Sequence, residues 1–435
     1  MVRPRAASLS SPLRRLRLDL HAILRAATAA ADPARLIQIA WLEGRLDSVR
    51  DGPFALVAAG KAAWPMARAL NERCAAGVRK AVVAGPVIAG DVPDGWGVFD
   101  AAHPFPDVAS ARAGAAALGA ARGERLVLLL SGGASSMLCA PAEGVTLEDK
   151  AAASRALMHT GVDVGALNCV RKHLSSLKGG GLGAAAARAL TLAISDVHHP
   201  VADDPSVIGS GPAVPDPSTF ARALAIAAGV RGVPAPVLRR LERGAAGGIP
   251  ETVKPGDARL AGAGFILLGN RLTAVEGAAR AAEAKGYQVA VIDQPVHGEA
   301  REAAAWFMAR AGHSMEGARM PLCVVAAGET TVRVRGPGKG GRNQEFALAA
   351  APLVASLGRS AALASAGTDG VDGPTNAAGA IVDSTTMARA AGAGRDPAEA
   401  LAANDAYPFF AALGDLIVSG PTGTNVGDVQ VLLMS

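Results

Sequence analysis

Short aliphatic runs recur along the chain, and each gives way to small polar residues and then to an alanine-rich segment of helical period. They are "FALVAAG" (54–60), "KAVVAG" (80–85), "RLVLLLSGG" (125–133), "ALTLAISD" (189–196), "AGFILLGN" (263–270), "QVAVIDQ" (288–294), "LCVVAAGE" (322–329) and "AALASAGTDG" (361–370). Continuous apolar runs mark strands buried on both faces. Their alternation with helices predicts an α/β fold of parallel sheets with helices on both faces. "LDLHAILRAATAAADPARLI" is amphipathic at helical spacing, and Asp32-Pro33 opens a second helix. In "TTVRVRGPGKGGRNQEFALAAAP" (330–352), Val332 and Val334 alternate with Thr331, Arg333 and Arg335, which predicts a half-buried strand. A glycine-rich turn follows, then a helix carrying Phe346, Ala347, Ala350 and Leu353, with Asn343 placed to cap it. "SAGTDGVDGPTNAAGAIVD" (365–383) reads as a loop and a return strand ending at Asp383. The turn-rich stretch "RGAAGGIPETVKPGDARL" (243–260) divides the pattern and predicts two domains, 1–245 and 258–435.

Composition narrows the classes. At 435 residues the chain exceeds one ordinary core, which agrees with two domains. The net charge of +5 owes much to Arg3, Arg5, Arg14, Arg15 and Arg17. Without interleaved aromatic residues this bias argues against nucleic acid and fits a small anionic substrate. An Arg-rich, acid-poor leader is also the pattern of a transit peptide, but the amphipathic period favours a first helix of the domain. Cys74, Cys139, Cys169 and Cys323 are scattered without paired spacing, as expected for reduced thiols in the cytoplasm. No apolar run reaches the ~18 residues of a membrane span.

In parallel α/β sheets ligands gather beyond the C-terminal ends of strands, so the residues after each run are the candidates. "LLLSGGASSM" (128–137) places Ser131, Gly132, Gly133, Ala134, Ser135 and Ser136 on a turn whose amides and hydroxyls suit an anion. A plain tight turn with a serine cap is the competing reading. The G-x-S-x-G spacing of a serine nucleophile is absent. Lys61 in "AAGKAAWPMARAL" sits at the end of a buried strand, where its charge needs a phosphate or carboxylate unless it snorkels to the surface. In "LNCVRKHLSSLKGGGLG", Arg171, Ser175 and Lys178 fall at three- and four-residue steps and predict one basic helical face. Asp196 at a strand end suits a metal ion or a base, whereas Asp203 and Asp204 read as ordinary loop acids.

"GPGKGGRNQEF" is not a Walker loop, because Gly340 and not a hydroxyl residue follows Lys339. Nor is it a dinucleotide fingerprint, since it follows a charged strand and lacks a later ribose-binding acid. What remains is open backbone at Gly340, Gly341 and Asn343, plus Arg342, whose planar fork suits phosphate or carboxylate. Asp369 and Asp372 lie in a further glycine-rich loop, and "GPTGTNVGD" near the C-terminus offers more amides and hydroxyls, or simply a hairpin turn. Anion-friendly loops and acids at strand ends suit phosphoryl transfer between small anions in an interdomain cleft, a reaction that needs mainly positioning and charge neutralisation.

The strings "LLLSGGASSMLCAPAEGVTLEDK", "LNCVRKHLSSLKGGGLG", "SDVHHPVADDPSVIGSGPAVPDPSTF", "GKGGRNQEFALA", "SAGTDGVDGPTNAAGAIVD" and "NDAYPFF…GPTGTNVGDVQVLLM" resemble the glycerate 2-kinase family, whose C-terminal part is called MOFRL. The likeness runs from about Leu18 to the C-terminus. It implies a Rossmann-like N-terminal domain, an α/β C-terminal domain, and transfer of phosphate from ATP with Mg²⁺ to the 2-hydroxyl of D-glycerate. It also implies that Lys61 and Arg342 hold phosphate and carboxylate charge through the transition state. The Ser131–Ser136 loop would bind nucleotide or substrate, and Asp196 and Asp369 would serve as metal ligand or base. Replacing Lys61 or Arg342 with alanine is expected to stop turnover and leave the fold intact. At His199-Pro200 the family pattern has a glycine, so the local turn is expected to differ. A homodimer is an open alternative. Family members also carry the label hydroxypyruvate reductase, which makes an NAD(P)H-dependent reductase the rival reading.

Overall fold

In a computed structural model that describes residues 11–86 and 91–435, the chain divides into two compact units. The first comprises 33–197 and 201–268; the second takes the stretch up to Asp32, 198–200 and 269–435. Arg3 and Arg5 lie outside the described residues.

The first unit is built on β1 (Phe54–Ala59), β2 (Val78–Gly85), β3 (Trp96–Asp100), β4 (Arg125–Leu130), β5 (Arg188–Ile194) and β6 (Gly264–Gly269). They lie in the order β3-β2-β1-β4-β5-β6, and the pairs from β3 through to β5 are parallel. Every residue of β1 is buried, as its unbroken apolar run requires of a central strand covered on both faces. This strand order is the doubly wound one, in which the direction of winding reverses between β1 and β4.

The second unit holds β7 (Gln288–Val291), β8 (Val296–Glu299), β9 (Leu322–Thr331), β10 (Ala361–Gly367), β11 (Gly379–Asp383), β12 (Leu416–Ile417) and β13 (Asp428–Met434). Its order is β12-β11-β10-β13-β9-β7, with β8 also on β9. This sheet is mixed and not wholly parallel: β13 runs antiparallel to β9 and β10, and β11 antiparallel to β10. Antiparallel neighbours need no helical crossover, so β10 returns through a loop and β13 enters the centre from the chain end.

All eight aliphatic runs became strands. The alternating segment 332–335 did not: β9 stops at Thr331, and Val334 is exposed. The amide of Arg333 donates to the Glu299 carboxylate, and those of Arg335 and Gly336 donate to Asn404 Oδ1. Side chains thus take the bonds a neighbouring strand would have made.

The stretch 243–260 is not a linker. Val253 donates to the Gly179 carbonyl, Asp216 to that of Val253, and Glu251 meets His173, all within the first unit. The division between units falls instead between Leu268 and Gly269. The first helix, Ser11–Ala30, belongs with the C-terminal half and packs on helix Arg271–Glu283. Gly277 allows the approach, since a Cβ there would lie 2.5 Å from that of Ala30. Arg17, counted from sequence among the basic residues near the N-terminus, is tied to Asp383 at 2.7 Å and to Asp415 at 2.5 Å.

Candidate active site

At the reversal point of the first unit, two strand-end turns are stitched together. The Lys61 amide donates to the Gly132 carbonyl at 2.8 Å, the Ala62 amide to Ser131 Oγ at 2.9 Å, and the Ser131 amide to the Ala59 carbonyl at 3.0 Å. Gly60 makes this possible: with φ +117°, it would carry a Cβ 2.4 Å from Ser131 Oγ. Lys61 is thereby held beside the Ser131–Ser136 turn, half-buried, before helix Ala63–Cys74. Gly133 turns left-handed at φ +85°. Among the described residues, the amides of Gly132, Gly133 and Ser135 make no backbone hydrogen bond. Ser135 Oγ meets Ser210 Oγ at 2.7 Å, and Ser210 donates to Asn168 Oδ1 at 2.9 Å. Asp196 emerges half-buried three residues beyond Ala193 of β5, the strand beside β4, so it shares this sheet edge.

The predicted basic face of "LNCVRKHLSSLKGGG" is not one face. Helix Val164–His173 ends before Ser175, and Lys178 lies in the following turn, buried. Lys172 instead pairs with Asp216 at 3.4 Å, and His173 Nε2 meets Glu251 at 3.2 Å.

In the second unit Arg342 opens helix Arg342–Ala355 and is fully engaged. Its Nε and a terminal nitrogen grip both oxygens of Asp428 at 2.7 and 2.9 Å, and its other nitrogen meets Glu329 at 2.6 Å. Burial disfavours the Arg342 charge, but Asp428 and Glu329 outweigh that cost and hold it firmly protonated. Sheet register explains the meeting: Asp428, the first residue of β13, lies opposite Gly328 on one side and Gly367 on the other. Because β13 runs antiparallel, its beginning shares an edge with the ends of β9 and β10. A Cβ at Gly367 would be 3.1 Å from Asp369 Oδ1 and 3.5 Å from Asp428 Oδ1, so this glycine lets both acids approach one spot.

The glycine-rich loop before Arg342 is not open. Asp372 accepts from the amides of Asn343 at 3.0 Å and Gln344 at 2.9 Å, taking the place expected for an external anion. Gly341 makes room for it, since a Cβ there would be 2.2 Å from Asp372 Cγ. Gly340 packs against Ala406, while Gly336 and Gly338 pack against Ala403 and Asp405. Lys339 lies over the Tyr407 ring at 4.7 Å. Asn343 is not the cap but a buried residue of the first turn, accepting from Ser365 Oγ at 2.6 Å. Burial raises the Asp372 carboxyl to about 6, although the two amides favour its charge.

Sequence reasoning named Lys61, Ser131–Ser136, Asp196, Arg342 and Asp369 together as strand-end candidates for one site. It missed Asp428 and the part Glu329 plays with it. The usable signal was an acid directly before a mostly apolar run, "GDVQVLLM". Among the described residues no three His, Cys, Asp or Glu side chains group to hold a metal.

Two family models cover most of the chain: the domain of unknown function DUF4147 matches residues 19–242, and the MOFRL family matches 322–428. D-glycerate 2-kinase of Thermotoga maritima is 36% identical over 87% of this chain and 90% of its own length. The chain belongs to the glycerate 2-kinase family. A crystal structure of glycerate kinase from Thermotoga maritima overlays with a TM-score of 0.82 at 34% identity, covering 97% of this chain and 100% of that one. Another relative, from Agrobacterium vitis, bears the provisional name hydroxypyruvate reductase; it is 39% identical over 95% of this chain and 94% of its own. Within the glycerate 2-kinase family, then, both labels occur.

Proposed function

We propose that the chain phosphorylates D-glycerate at its 2-hydroxyl, taking the phosphoryl group from ATP with Mg²⁺ and releasing 2-phosphoglycerate and ADP. The observation that carries this reading is the Lys61 turn stitched to Ser131–Ser136 at the reversal point of a doubly wound sheet, where such folds bind ligands. Lys61 and the unbonded amides of that turn would take phosphate oxygens. Arg342 is held by Glu329 and by the buried Asp428, and this cluster of one cation and two carboxylates is net negative, so its proposed contribution is to fix the positions of the two carboxylates at the strand edge. The 2-hydroxyl oxygen attacks the γ-phosphorus, its proton passes to a carboxylate, and the bond from phosphorus to ADP breaks. Asp196 and Asp369 are the carboxylates proposed for the proton or the metal. Mg²⁺ commonly keeps water and phosphate oxygens and takes only one or two protein carboxylates, and single acids just beyond β5 and β10 fit that mode. When bound it would neutralise phosphate charge.

The reductase reading has a relative's name in its favour, but the turn after β1 is Gly60-Lys61 and lacks the glycine-rich fingerprint of a dinucleotide site. The test is ADP release on adding D-glycerate to purified protein. EDTA should stop it and Mg²⁺ restore it; release indifferent to chelation would count against this mechanism. We further propose that the protein acts in the cytoplasm.

A further inference from the structure

Beneath the Ser131–Ser136 turn lie two buried lysines and the partly buried Arg171 with no carboxylate partner among the described residues; the buried Cys139 thiol faces all three and is an acidic neighbour of each. Lys150 is 3% exposed, and among the described residues its Nζ donates to the Leu174 carbonyl alone, at 3.2 Å. Lys178 is 2% exposed, and among the described residues its Nζ donates to the carbonyls of Gly209 and Leu138 alone, at 3.3 and 3.5 Å. Arg171 finds Ser154 Oγ at 3.4 Å and the Met158 sulfur at 3.8 Å. Among the described residues none of the three makes an ion pair, whereas Lys172 next to Arg171 has Asp216. The segment thus supplies a carboxylate to one lysine and withholds it from two others, at a cost that folding alone does not explain.

The placement says what the missing partner is for. One acceptor of Lys178 is Gly209, which packs on Ala134 and precedes Ser210, the residue whose hydroxyl meets Ser135. The other is Leu138, the residue that follows the short helix Ala134–Met137. Lys150 and Arg171 lie behind Lys178, close enough to repel it. Burial brings Lys150 down to about 8 and pushes Lys178 well below the usual lysine range, with Lys150 and Arg171 adding to the effect.

We propose that Lys178, backed by Lys150 and Arg171, is a charge seat for a phosphate-bearing ligand held at the Ser131–Ser136 turn, the ligand providing the counter-charge the chain omits. This rests on the kinase reading, and the phosphate belongs to either the nucleotide or the phosphorylated acid. Both lysines act through the field and by positioning the turn, not by contacting the reacting atoms.

The test uses the full chain and two variants, Lys178→Met and Lys150→Met, with calorimetric titration of ADP and, separately, 2-phosphoglycerate, and a melting curve without ligand. Expected for Lys178→Met is a melting temperature at or above that of the parent, with affinity for one ligand lowered at least tenfold; which one falls identifies the source of the phosphate. A lysine that merely supports structure would instead lower the melting temperature and leave both affinities unchanged. Unchanged affinities overturn the inference. Should Lys178→Met not fold, Lys150→Met decides by the same criterion, with at least a threefold loss expected. A parent protein that releases ADP from glycerate and ATP while its variants keep both affinities refutes this inference alone. A parent that binds neither ligand refutes the kinase reading with it.

Discussion

Two glycine-rich turns follow strands in this chain, and they use glycine in opposite ways. Among the described residues, the turn at 131–136 keeps the amides of Gly132, Gly133 and Ser135 out of the backbone hydrogen-bond network. The loop at 336–342 is filled by the chain itself, with Asp372 on the amides of Asn343 and Gln344 and Ala403–Asp405 against its glycines. A glycine-rich sequence therefore announces a close approach of something, but not whether that something is a ligand or the protein's own backbone. The more conspicuous loop, with its lysine and arginine, is the internal one.

The largest test of this contrast concerns the two basic residues. Both Lys61→Ala and Arg342→Ala should lower kcat/KM by about 10³-fold, the scale of losing one preorganised group at an active site. Their stabilities should part. Arg342→Ala leaves Asp428 buried without its partner and should cost about 3–5 kcal/mol in urea unfolding. Lys61→Ala should leave the unfolding curve nearly unchanged. The sequence alone suggested an intact fold for both, because it could not show Asp428 gripping Arg342. Equal stabilities would break the distinction between an open turn and a filled one.

Next in size, Gly341→Ala should destabilise by about 3 kcal/mol, since its Cβ meets Asp372 and neither backbone can yield. Gly133→Ala should cost about 1–2 kcal/mol, for its left-handed φ alone, with the nearest atom a His103 ring carbon at 3.2 Å. A reversed order would mean that the turn at 131–136 is the tightly packed one.

The last test is the pH dependence of the filled loop. Asp372 titrates near 6 in the folded chain, above the usual carboxylate range, so the folded state holds this proton more tightly than the unfolded one. Its contribution is full below about pH 4 and is lost as pH rises through 6, a span worth at most about 3 kcal/mol. Asp372→Asn should remove this component from a series of urea unfolding curves between pH 4 and 7. An unchanged pH profile would mean that the amides of Asn343 and Gln344 fully repay the burial of the charge.

Much of this was legible beforehand because the aliphatic runs carry the signal of buried strands, and the rule about their C-terminal ends led directly to Lys61, Ser131 and Asp196. Two kinds of information were not. The direction of β13 depends on which strands it joins, so Asp428 at its beginning escaped a rule that inspects only strand ends. The filling of the 336–342 loop depends on Asp372, Ala403 and Asp405, 30 to 70 residues away, and no local pattern reports such contacts. The same holds for helix Ser11–Ala30, whose amphipathic face was evident and whose partner, Arg271–Glu283, was not.

Phosphorus NMR of the purified protein with D-glycerate, ATP and Mg²⁺ tests the proposed reaction most directly. The account predicts a resonance of 2-phosphoglycerate growing with that of ADP. A 3-phosphoglycerate signal would contradict the position of transfer, and no transfer together with NADH consumption on hydroxypyruvate would contradict the reaction itself.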